Sequence, residues 1–317
     1  MNNSKYASVS VVVPVYNSEQ TLPELIARLR QVLEPVTETF EVILVNDGSK
    51  DDSWQVIEML AEKDSAVLGL NLMHNYGQHN ALLAGIMHVQ NEWIITIDDD
   101  LQIPPEEIPK LLEVLIEGYD IVYGNPENPE HSLWRRLSSK IVKISLGIVL
   151  GAEMGAKSNA FRAFRTELRK GFLQFTDARV SIDVLLSWTA NHIAAVKVAH
   201  KARQYGCSGY TLRKLLSLTL SMVTGYSTAP LRIASCLGLF SALVGLVIFI
   251  YVIIQRFIHE VSVPGFTFIA AEIAMFAGMQ LFTVGVIGEY LARMHFRTMG
   301  KPSYVVRKKT GNGSLSE

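Results

Sequence analysis

This chain has few cysteines, and its positive and negative charges nearly balance. Cys207 and Cys236 are the two cysteines among 317 residues, without C-x-x-C spacing or a disulfide framework, which is typical of a reducing compartment. The net charge of −1 offers no case for a nucleic-acid partner. The first residues lack the charged and then apolar pattern of a signal peptide, so we expect a cytoplasmic start.

Long apolar runs, by contrast, are present late in the chain. Hydrophobic residues make up 49% of it, and the excess lies mostly after about residue 230. Segments 233–254 and 266–287 have the length that crosses a bilayer; the first has no formal charge and the second has only Glu272. The short connector predicts a helical hairpin, with Glu272 near the hydrated headgroups. The alternative is a helical hairpin buried in a soluble core.

Positive charge on both sides of this pair predicts its orientation in a membrane. Lysine and arginine concentrate before the first segment and after the second, whereas the connector has only Arg256. Both ends should therefore face the cytoplasm. The flanking cations are Arg203, Arg213, Lys214 and Arg232 before the pair, and Arg293, Arg297, Lys301, Arg307, Lys308 and Lys309 after it.

Residues 8–122 alternate strand-like and helix-like patterns. This alternation predicts an α/β fold with a mostly parallel sheet covered on both faces. Two later amphipathic stretches, 132–149 and 211–222, are either membrane-surface helices or ordinary helices packed on protein. The predicted strands are 9–15, 40–45, 67–72, 93–97 and 121–123, and the predicted helices are 19–33, 51–63, 77–89 and one that opens at 104–107.

Carboxylates follow two of the predicted strands directly. Asp47 ends the run 41–47, and Asp98 and Asp100 follow the run 93–97 with Gln102 close behind. Open α/β sheets present acidic groups to a ligand in this way, at the carboxyl ends of their strands. A D-x-D pair with a nearby amide oxygen suits a hard divalent cation that carries phosphates. The alternatives are a turn-forming Asp-Gly-Ser at Asp47 and a solvated acidic loop at 98–100.

The order of several short motifs adds a family resemblance. With the hairpin that follows them, they resemble the family-2 glycosyltransferases of the GT-A fold, and more narrowly the polyisoprenyl-phosphate glycosyltransferases. The processive synthases of that family have a Q-x-x-R-W motif, which this sequence lacks. The motifs are 11–17 (VVVPVYN), 46–49 (NDGS), 75–81 (NYGQHNA), 98–105 (DDDLQIPP), 203–210 (RQYGCSGY) and 288–290 (GEY).

The resemblance covers nearly the whole chain and implies its organisation. A cytoplasmic GT-A nucleotide-diphospho-sugar transferase domain with a mostly parallel sheet is expected over 1–210. An interfacial amphipathic helix should follow over 211–230, and a two-helix transmembrane hairpin over 231–292. Residues 293–317 are expected to form a cytoplasmic C-terminal tail.

The resemblance also implies a donor site and a metal site. The donor is a nucleotide sugar, and the cofactor is Mg²⁺ or Mn²⁺, held by Asp100 and Gln102. Asp98 and Asp100 are the expected catalytic residues, whereas Asp99 should alternate away from its neighbours. The expected donor-binding residues are Pro14, Tyr16 and Glu19 around the base, Asp47 as an acceptor from the base, and Asp98 near the ribose or sugar.

The implied acceptor is a lipid phosphate. Arg203 fits as its anchor because a guanidinium grips phosphate oxygens in bidentate fashion, and Ser208 and Tyr210 would add hydroxyl donors. The relatives commonly have lysine at the position of Gly209, so one cation is missing in this chain. The replacement candidates are Arg213, Lys214 and Lys201.

A second departure concerns the general base. The relatives have an aspartate that falls at Ala156 or Ala160, depending on the alignment. An alcohol acceptor needs a base to remove its proton, whereas a phosphate monoester is already anionic near neutral pH. The loss therefore need not abolish activity. Asp177 and Asp183 remain candidate substitutes, and Lys157 is a candidate contact for an acidic sugar or phosphate.

These observations predict an inverting glycosyltransferase on the cytoplasmic face of a bacterial inner membrane. It would move one sugar from a nucleotide donor, expected to be UDP-linked, to undecaprenyl phosphate for modification of a cell-envelope glycan such as lipopolysaccharide. The resemblance also implies a homotetramer. Two alternatives stay open: a sugar transferase with another lipid acceptor, such as a diacylglycerol, and a non-catalytic membrane protein that binds nucleotide sugars.

Overall fold

The structure, a computed structural model, describes residues 6–127, 152–173, 175, 180–201, 226–259 and 265–311. The chain divides into two compact units. The sheet unit comprises Met1–Leu212 and Gly300–Glu317, and the hairpin unit comprises Arg213–Met299. The predicted amphipathic stretches 132–149 and 211–222 lie outside the described residues.

Eight strands within the described ranges form one mixed sheet. They are β1 Tyr6–Val15, β2 Thr37–Asn46, β3 Val67–Leu72, β4 Trp93–Thr96, β5 Ile121–Pro126, β6 Arg162–Arg165, β7 Ile193–Val198 and β8 Val306–Thr310. Their order in the sheet is β7-β5-β6-β4-β1-β2-β3-β8. Strand β1 pairs in parallel with β2 and β4, β2 with β3, and β5 with β7, whereas β6 and β8 are antiparallel to their neighbours. The predicted mostly parallel sheet is confirmed.

Helices cover both faces of this sheet. Successive side chains of a strand point to opposite faces, so each central strand contributes to a core on both sides. In β1, Val11 packs into a core with α1, α2 and α4 on one face, and Val12 packs into a core with α3 and α6 on the other. Buried on both sides, the central strand reads as a continuous apolar run. The helices of this unit are α1 Leu22–Leu33, α2 Ser53–Lys63, α3 Gln78–His88, α4 Ile108–Leu115, α5 Ala152–Lys157 and α6 Ile182–Ser187.

Strand β8 lies in the segment that the sequence analysis treats as a tail. It forms the edge of the sheet, antiparallel to β3, and belongs to the sheet unit. Its consecutive Arg307, Lys308 and Lys309 are exposed, and Lys308 Nζ contacts Glu58 Oε1 of α2 at 2.5 Å. Charged side chains on an edge strand oppose edge-to-edge aggregation. Three of the cations used to predict orientation therefore belong to a strand.

The hairpin unit contains two long helices, α7 Ala229–His259 and α8 Phe266–Thr298. Within them, Ala229–Ile248 and Met275–His295 are long and apolar enough to cross a membrane, by length and composition. The predicted segments 233–254 and 266–287 fall inside the two helices. At one helix contact, the ring of Phe276 lies 3.1 Å from the position that a Cβ atom on Gly245 would occupy.

The apolar side chains of both helices are exposed in the described residues. Only 11% of the first apolar window and 0% of the second is buried. Leu239 and Phe240 are each 65% exposed, and Leu281 is 72% exposed. The alternative of a hairpin buried in a soluble core is therefore wrong, since such a core would cover these side chains. Glu272 lies in α8 before the second apolar window, and its predicted position near the headgroups stays a prediction.

Candidate active site

The predicted donor and metal residues meet at one edge of the sheet. Tyr16 follows β1, Asp47 follows β2, and Asp98 follows β4 after one further residue. Because β1 is parallel to both neighbours, the carboxyl ends of all three strands lie at this edge. The order of the parallel strands reverses at β1, with β2 on one side and β4 on the other. Ligands of open α/β sheets bind at such a switch point.

Reciprocal hydrogen bonds hold the loops after β1 and β2 together. Asn17 N–H donates to Ser49 Oγ at 3.0 Å, and Lys50 N–H donates to Asn17 Oδ1 at 2.8 Å. Ser18 N–H donates to Ser53 Oγ at 2.8 Å. Asn17 has a φ of 54°, a left-handed conformation that asparagine tolerates. These hydrogen bonds fix the two loops relative to each other.

The three residues predicted around the base have different surroundings. Pro14 is buried in β1, and Tyr16 is 45% exposed at the edge. Glu19 Oε2 accepts the N–H of Asp52 at 2.9 Å, and Glu19 N–H donates to Asp51 Oδ2 at 3.2 Å. Tyr16 is therefore open to solvent, whereas Glu19 joins the two loops, and the predicted contacts of all three residues with a base stay predictions.

Asp47 is 3% exposed, and backbone donors surround its carboxylate. Tyr76 N–H donates to Oδ1 at 2.7 Å and Gly77 N–H donates to Oδ2 at 2.8 Å. Burial raises the pKa of Asp47, although the two backbone hydrogen bonds oppose this. In the structure Asp47 anchors the loop after β3, and its predicted contact with a base stays a prediction.

Gly48 is needed for the close approach of the same two loops. Its φ is +66°, and a Cβ atom there would lie 2.6 Å from the backbone nitrogen of Asn75 and 2.7 Å from the carbonyl carbon of His74. Backbone atoms cannot yield to such contacts as a flexible side chain can. The NDGS motif therefore combines two features: the Asp47 carboxylate binds the loop after β3, and Gly48 allows that loop to lie close to the backbone.

A small cavity of about 100 Å³ opens beside the D-x-D loop. Carboxylate, amide and imidazole groups line it together with apolar side chains. His200 and Asn159 were not predicted as site residues; the sequence signal for His200 is its position three residues before Arg203. The lining residues are Ile97, Asp98, Asp100, Gln102, Ile103, Pro126, Asn159, Phe161 and His200.

The D-x-D loop is shaped by hydrogen bonds around its carboxylates. Asp98 Oδ1 accepts from Gln78 Nε2 at 2.7 Å, and Asp100 Oδ1 accepts from Gln102 N–H at 3.1 Å. Leu101 has a φ of 57°, which closes a tight turn between Asp100 and Gln102. The carbonyl of Gln102 accepts from Lys201 N–H at 2.8 Å, which holds the chain beyond β7 against the loop. The three residues predicted to bind sugar or metal thus line one cavity.

Asp99 points away from that cavity, as predicted. Its Oδ2 accepts the N–H of Tyr16 at 3.1 Å and the hydroxyl of Ser18 at 2.5 Å. Burial raises the pKa of Asp99, against the lowering effect of these two hydrogen bonds. The middle carboxylate of the motif therefore links the D-x-D loop to the loop after β1.

The donor set of the cavity fits a hard divalent cation. Asp98, Asp100 and Gln102 offer carboxylate and amide oxygens, the ligands that Mg²⁺ and Mn²⁺ accept. Across the described ranges, no three histidine, cysteine, aspartate or glutamate side chains converge on one metal-sized point. Mg²⁺ is usually bound through one or two carboxylates together with substrate phosphates and water, which this donor set allows.

A network of buried polar side chains joins β4, β5, β6 and α6 beside this site. Arg162 is 1% exposed; its Nη1 donates to Asp183 Oδ1 at 2.5 Å and its Nε donates to Thr96 Oγ1 at 3.1 Å. Thr96 Oγ1 donates to the carbonyl of Ala160 at 2.6 Å, and Tyr123 Oη donates to Asp183 Oδ1 at 3.1 Å. Burial raises the pKa of Tyr123 well above its usual value, so its hydroxyl stays a donor. Sequence reasoning did not find this network.

The network makes Asp183 a poor substitute for a missing general base. Its carboxylate is engaged by Arg162 and Tyr123, away from the cavity lining. Ala160 lies between the lining residues Asn159 and Phe161, so a carboxylate at that position would stand beside the cavity. Lys157 Nζ donates to the carbonyl of Ile193 at 3.0 Å, which gives it a structural contact.

Several residues predicted for the site lie outside the described ranges. The acceptor-binding motif 203–210 begins after Lys201, the last described residue after β7. The residues outside the described ranges are the acceptor-binding candidates Arg203, Ser208 and Tyr210, the cations Arg213 and Lys214, and the base candidate Asp177.

A mostly parallel sheet with D-x-D carboxylates at its switch point defines a GT-A type sugar transferase domain. Comparison with known families supports this class. Glycosyl transferase family 2 matches residues 10–173, and the GtrB C-terminal hairpin matches residues 229–294. The chain belongs to glycosyl transferase family 2, and it is a glycosyltransferase with the C-terminal hairpin of GtrB.

Curated relatives match over nearly the full length. An undecaprenyl-phosphate 4-deoxy-4-formamido-L-arabinose transferase of Pseudomonas paraeruginosa is 36% identical over 95% of this chain and 89% of its own length. A protein of the same name from Proteus mirabilis is 35% identical over 97% of this chain and 95% of its own length. The similarity thus includes the sheet unit and the hairpin together.

Solved structures share the fold of the sheet unit. Glucosyl-3-phosphoglycerate synthase of Mycobacterium tuberculosis with phosphoglyceric acid superposes with a TM-score of 0.51 at 19% identity, over 68% of this chain and 78% of that one. The same enzyme with Mn²⁺ and UDP-glucose gives 0.50 at 20% identity, over 68% and 77%. At this identity the likeness shows the GT-A fold alone.

Proposed function

We propose that this protein transfers a single sugar from a nucleotide donor, UDP-linked, to undecaprenyl phosphate. The observation that carries the proposal is the cavity at the switch point, which Asp98, Asp100 and Gln102 line together. The near-full-length relatives named as undecaprenyl-phosphate sugar transferases support the acceptor. The GtrB hairpin and its exposed apolar helices support a lipid-embedded substrate.

The donor would lie across the carboxyl ends of β1 and β4. Tyr16 provides an aromatic surface for the base, and Asp98 an acceptor for hydroxyl groups of the ribose or sugar. Asp100 and Gln102 would hold Mg²⁺ or Mn²⁺, which supplies positive charge against the charge that develops on the departing nucleoside diphosphate. The structurally similar synthase was crystallised with Mn²⁺ and UDP-glucose, in agreement with this donor class.

The acceptor chemistry explains how the enzyme works without the relatives' aspartate. An oxygen of the lipid phosphate attacks the anomeric carbon, and the bond from that carbon to the donor phosphate oxygen breaks, with inversion. A phosphate monoester has a second pKa of about 6 and needs no base at neutral pH. Arg203, Ser208 and Tyr210 would orient that phosphate, whereas Ala156 and Ala160 take no part in proton transfer. The chain's task is positioning and charge stabilisation.

A lipid-product assay tests this function. Full-length protein in detergent is given labelled UDP-sugars from a panel, with Mn²⁺ and with undecaprenyl phosphate, a diacylglycerol or no lipid. We expect organic-extractable label with undecaprenyl phosphate alone, because the attacking group is an ionised phosphate. Product on the diacylglycerol would favour the other-lipid alternative, and donor binding without turnover across the panel would favour the non-catalytic alternative.

We also propose that the protein is a multi-pass protein of the bacterial inner membrane, with the sheet unit and both termini in the cytoplasm. The sheet unit contains residues from both sides of the hairpin, which supports one shared compartment for both flanks. Alkaline phosphatase fused after the last residue is expected to be inactive, and phosphatase inserted within the connector 260–264 to be active. The reverse pattern would contradict this orientation.

Light scattering in detergent tests the expected homotetramer.

A further inference from the structure

Asp99 joins the two loops that border the switch-point crevice. The loop after β1 contains Tyr16, and the loop after β4 contains the D-x-D carboxylates. Strands β1 and β4 are adjacent, and Ile97 N–H still donates to the carbonyl of Val12 at 3.2 Å. The register between the two backbones ends there, with Val12 opposite Thr96. The Asp99 carboxylate then connects them through the N–H of Tyr16 and the hydroxyl of Ser18.

The position of Asp99 argues against a role as a further metal or substrate ligand. Its neighbours Asp98 and Asp100 line the cavity, but Asp99 does not. One carboxylate oxygen already accepts two hydrogen bonds from the opposite loop. Hydrogen bonds to a charged acceptor are among the stronger ones in proteins, so this contact fixes the backbone of Tyr16.

We propose that Asp99 is a positioning residue that sets the affinity for the nucleotide by holding Tyr16 in place. This inference rests on the proposed function for the identity of the ligand, and on the structure alone for the contact. The loop after β1 is tied to the loop after β2 by Asn17 and Ser18, so Asp99 brings all three strand-end loops into one framework. A preorganised loop binds its ligand without an ordering cost.

Hydrogen exchange tests the contact without reference to any substrate. In full-length protein, Asp99→Ala is expected to speed amide exchange about tenfold in peptides covering residues 14–21, because Tyr16 N–H loses its acceptor. Ser18→Ala should leave Tyr16 protected. Asp99→Asn keeps a carbonyl acceptor and should restore the protection. Unchanged exchange in Asp99→Ala would overturn the proposal, whatever the enzyme's substrate.

Binding of UDP tests the consequence. Asp99→Ala is expected to weaken UDP binding about tenfold, by the same factor with and without Mn²⁺, and Asp99→Asn to recover most of it. A loss that appears only with Mn²⁺ would make Asp99 a metal ligand and contradict the positioning role. Glu117→Ala, at an exposed carboxylate just beyond α4, is the control and should change neither measurement. Wild-type protein that fails to bind UDP would count against the UDP donor, while the exchange result would still decide the role of Asp99.

Discussion

Replacing Asp100 with alanine is expected to reduce kcat/KM for sugar transfer about 10³-fold, since the carboxylate is the principal charged ligand proposed for the cation. The cation offsets charge that develops on the leaving nucleoside diphosphate, so its loss affects the transition state more than donor binding. The measurement is the lipid-product assay, with rates determined across a range of Mn²⁺ concentrations. Turnover of the variant should no longer respond to Mn²⁺.

Asparagine at the same position separates charge from local structure. Asp100 Oδ1 accepts the N–H of Gln102 in the turn where Leu101 has a positive φ. An asparagine oxygen accepts the same hydrogen bond, so Asp100→Asn should keep the turn and the melting temperature. It should still lose most activity, because a neutral amide is a weaker ligand for a hard cation. Near-normal, Mn²⁺-dependent turnover in Asp100→Asn would refute the metal assignment.

The location of the site could be predicted from the sequence because it depends on local patterns. Apolar runs that end in carboxylates mark the strand ends, and parallel pairing brings those ends to one edge. The helix boundaries were less accurate. Helix α1 begins at Leu22 rather than at residue 19, because Ser18 and Glu19 bond to the neighbouring loop instead of entering the helix.

Two of the three strands that the sequence analysis missed, β6 and β8, carry charge where an apolar pattern is expected. Strand β6 begins with Arg162, and an arginine in a sequence is normally expected at the surface. Its partner Asp183 is 21 positions later in the chain, so the sequence does not indicate that the two are paired. Strand β8 contains Arg307, Lys308 and Lys309 and has no apolar alternation, because it is an edge strand. Such elements depend on contacts between distant residues, and a single sequence does not show those contacts.

The buried pair of Arg162 and Asp183 leads to the second prediction. Asp183→Ala should destabilise the sheet unit by about 3–5 kcal/mol, because it leaves a guanidinium that is 1% exposed without its counter-charge. For a unit of this size, that corresponds to a melting temperature lower by roughly 10 °C, measured by intrinsic fluorescence of the full-length protein in detergent. Arg30→Ala is the control, because its pair with Asp64 lies at the surface and should contribute at most about 1 kcal/mol.

Removing both partners distinguishes the energy of the pair from the cost of an orphaned charge. The double variant Arg162→Met/Asp183→Leu should recover much of the lost stability, since two apolar side chains of similar size need no counter-charge. It should not recover activity in the same proportion. Arg162 also donates to Thr96, which lies two residues before Asp98. Thr96 in turn donates to the carbonyl of Ala160 beside the cavity. A stable double variant with full activity would show that the network serves folding alone, whereas a stable variant with reduced kcat would show that it also positions the D-x-D loop.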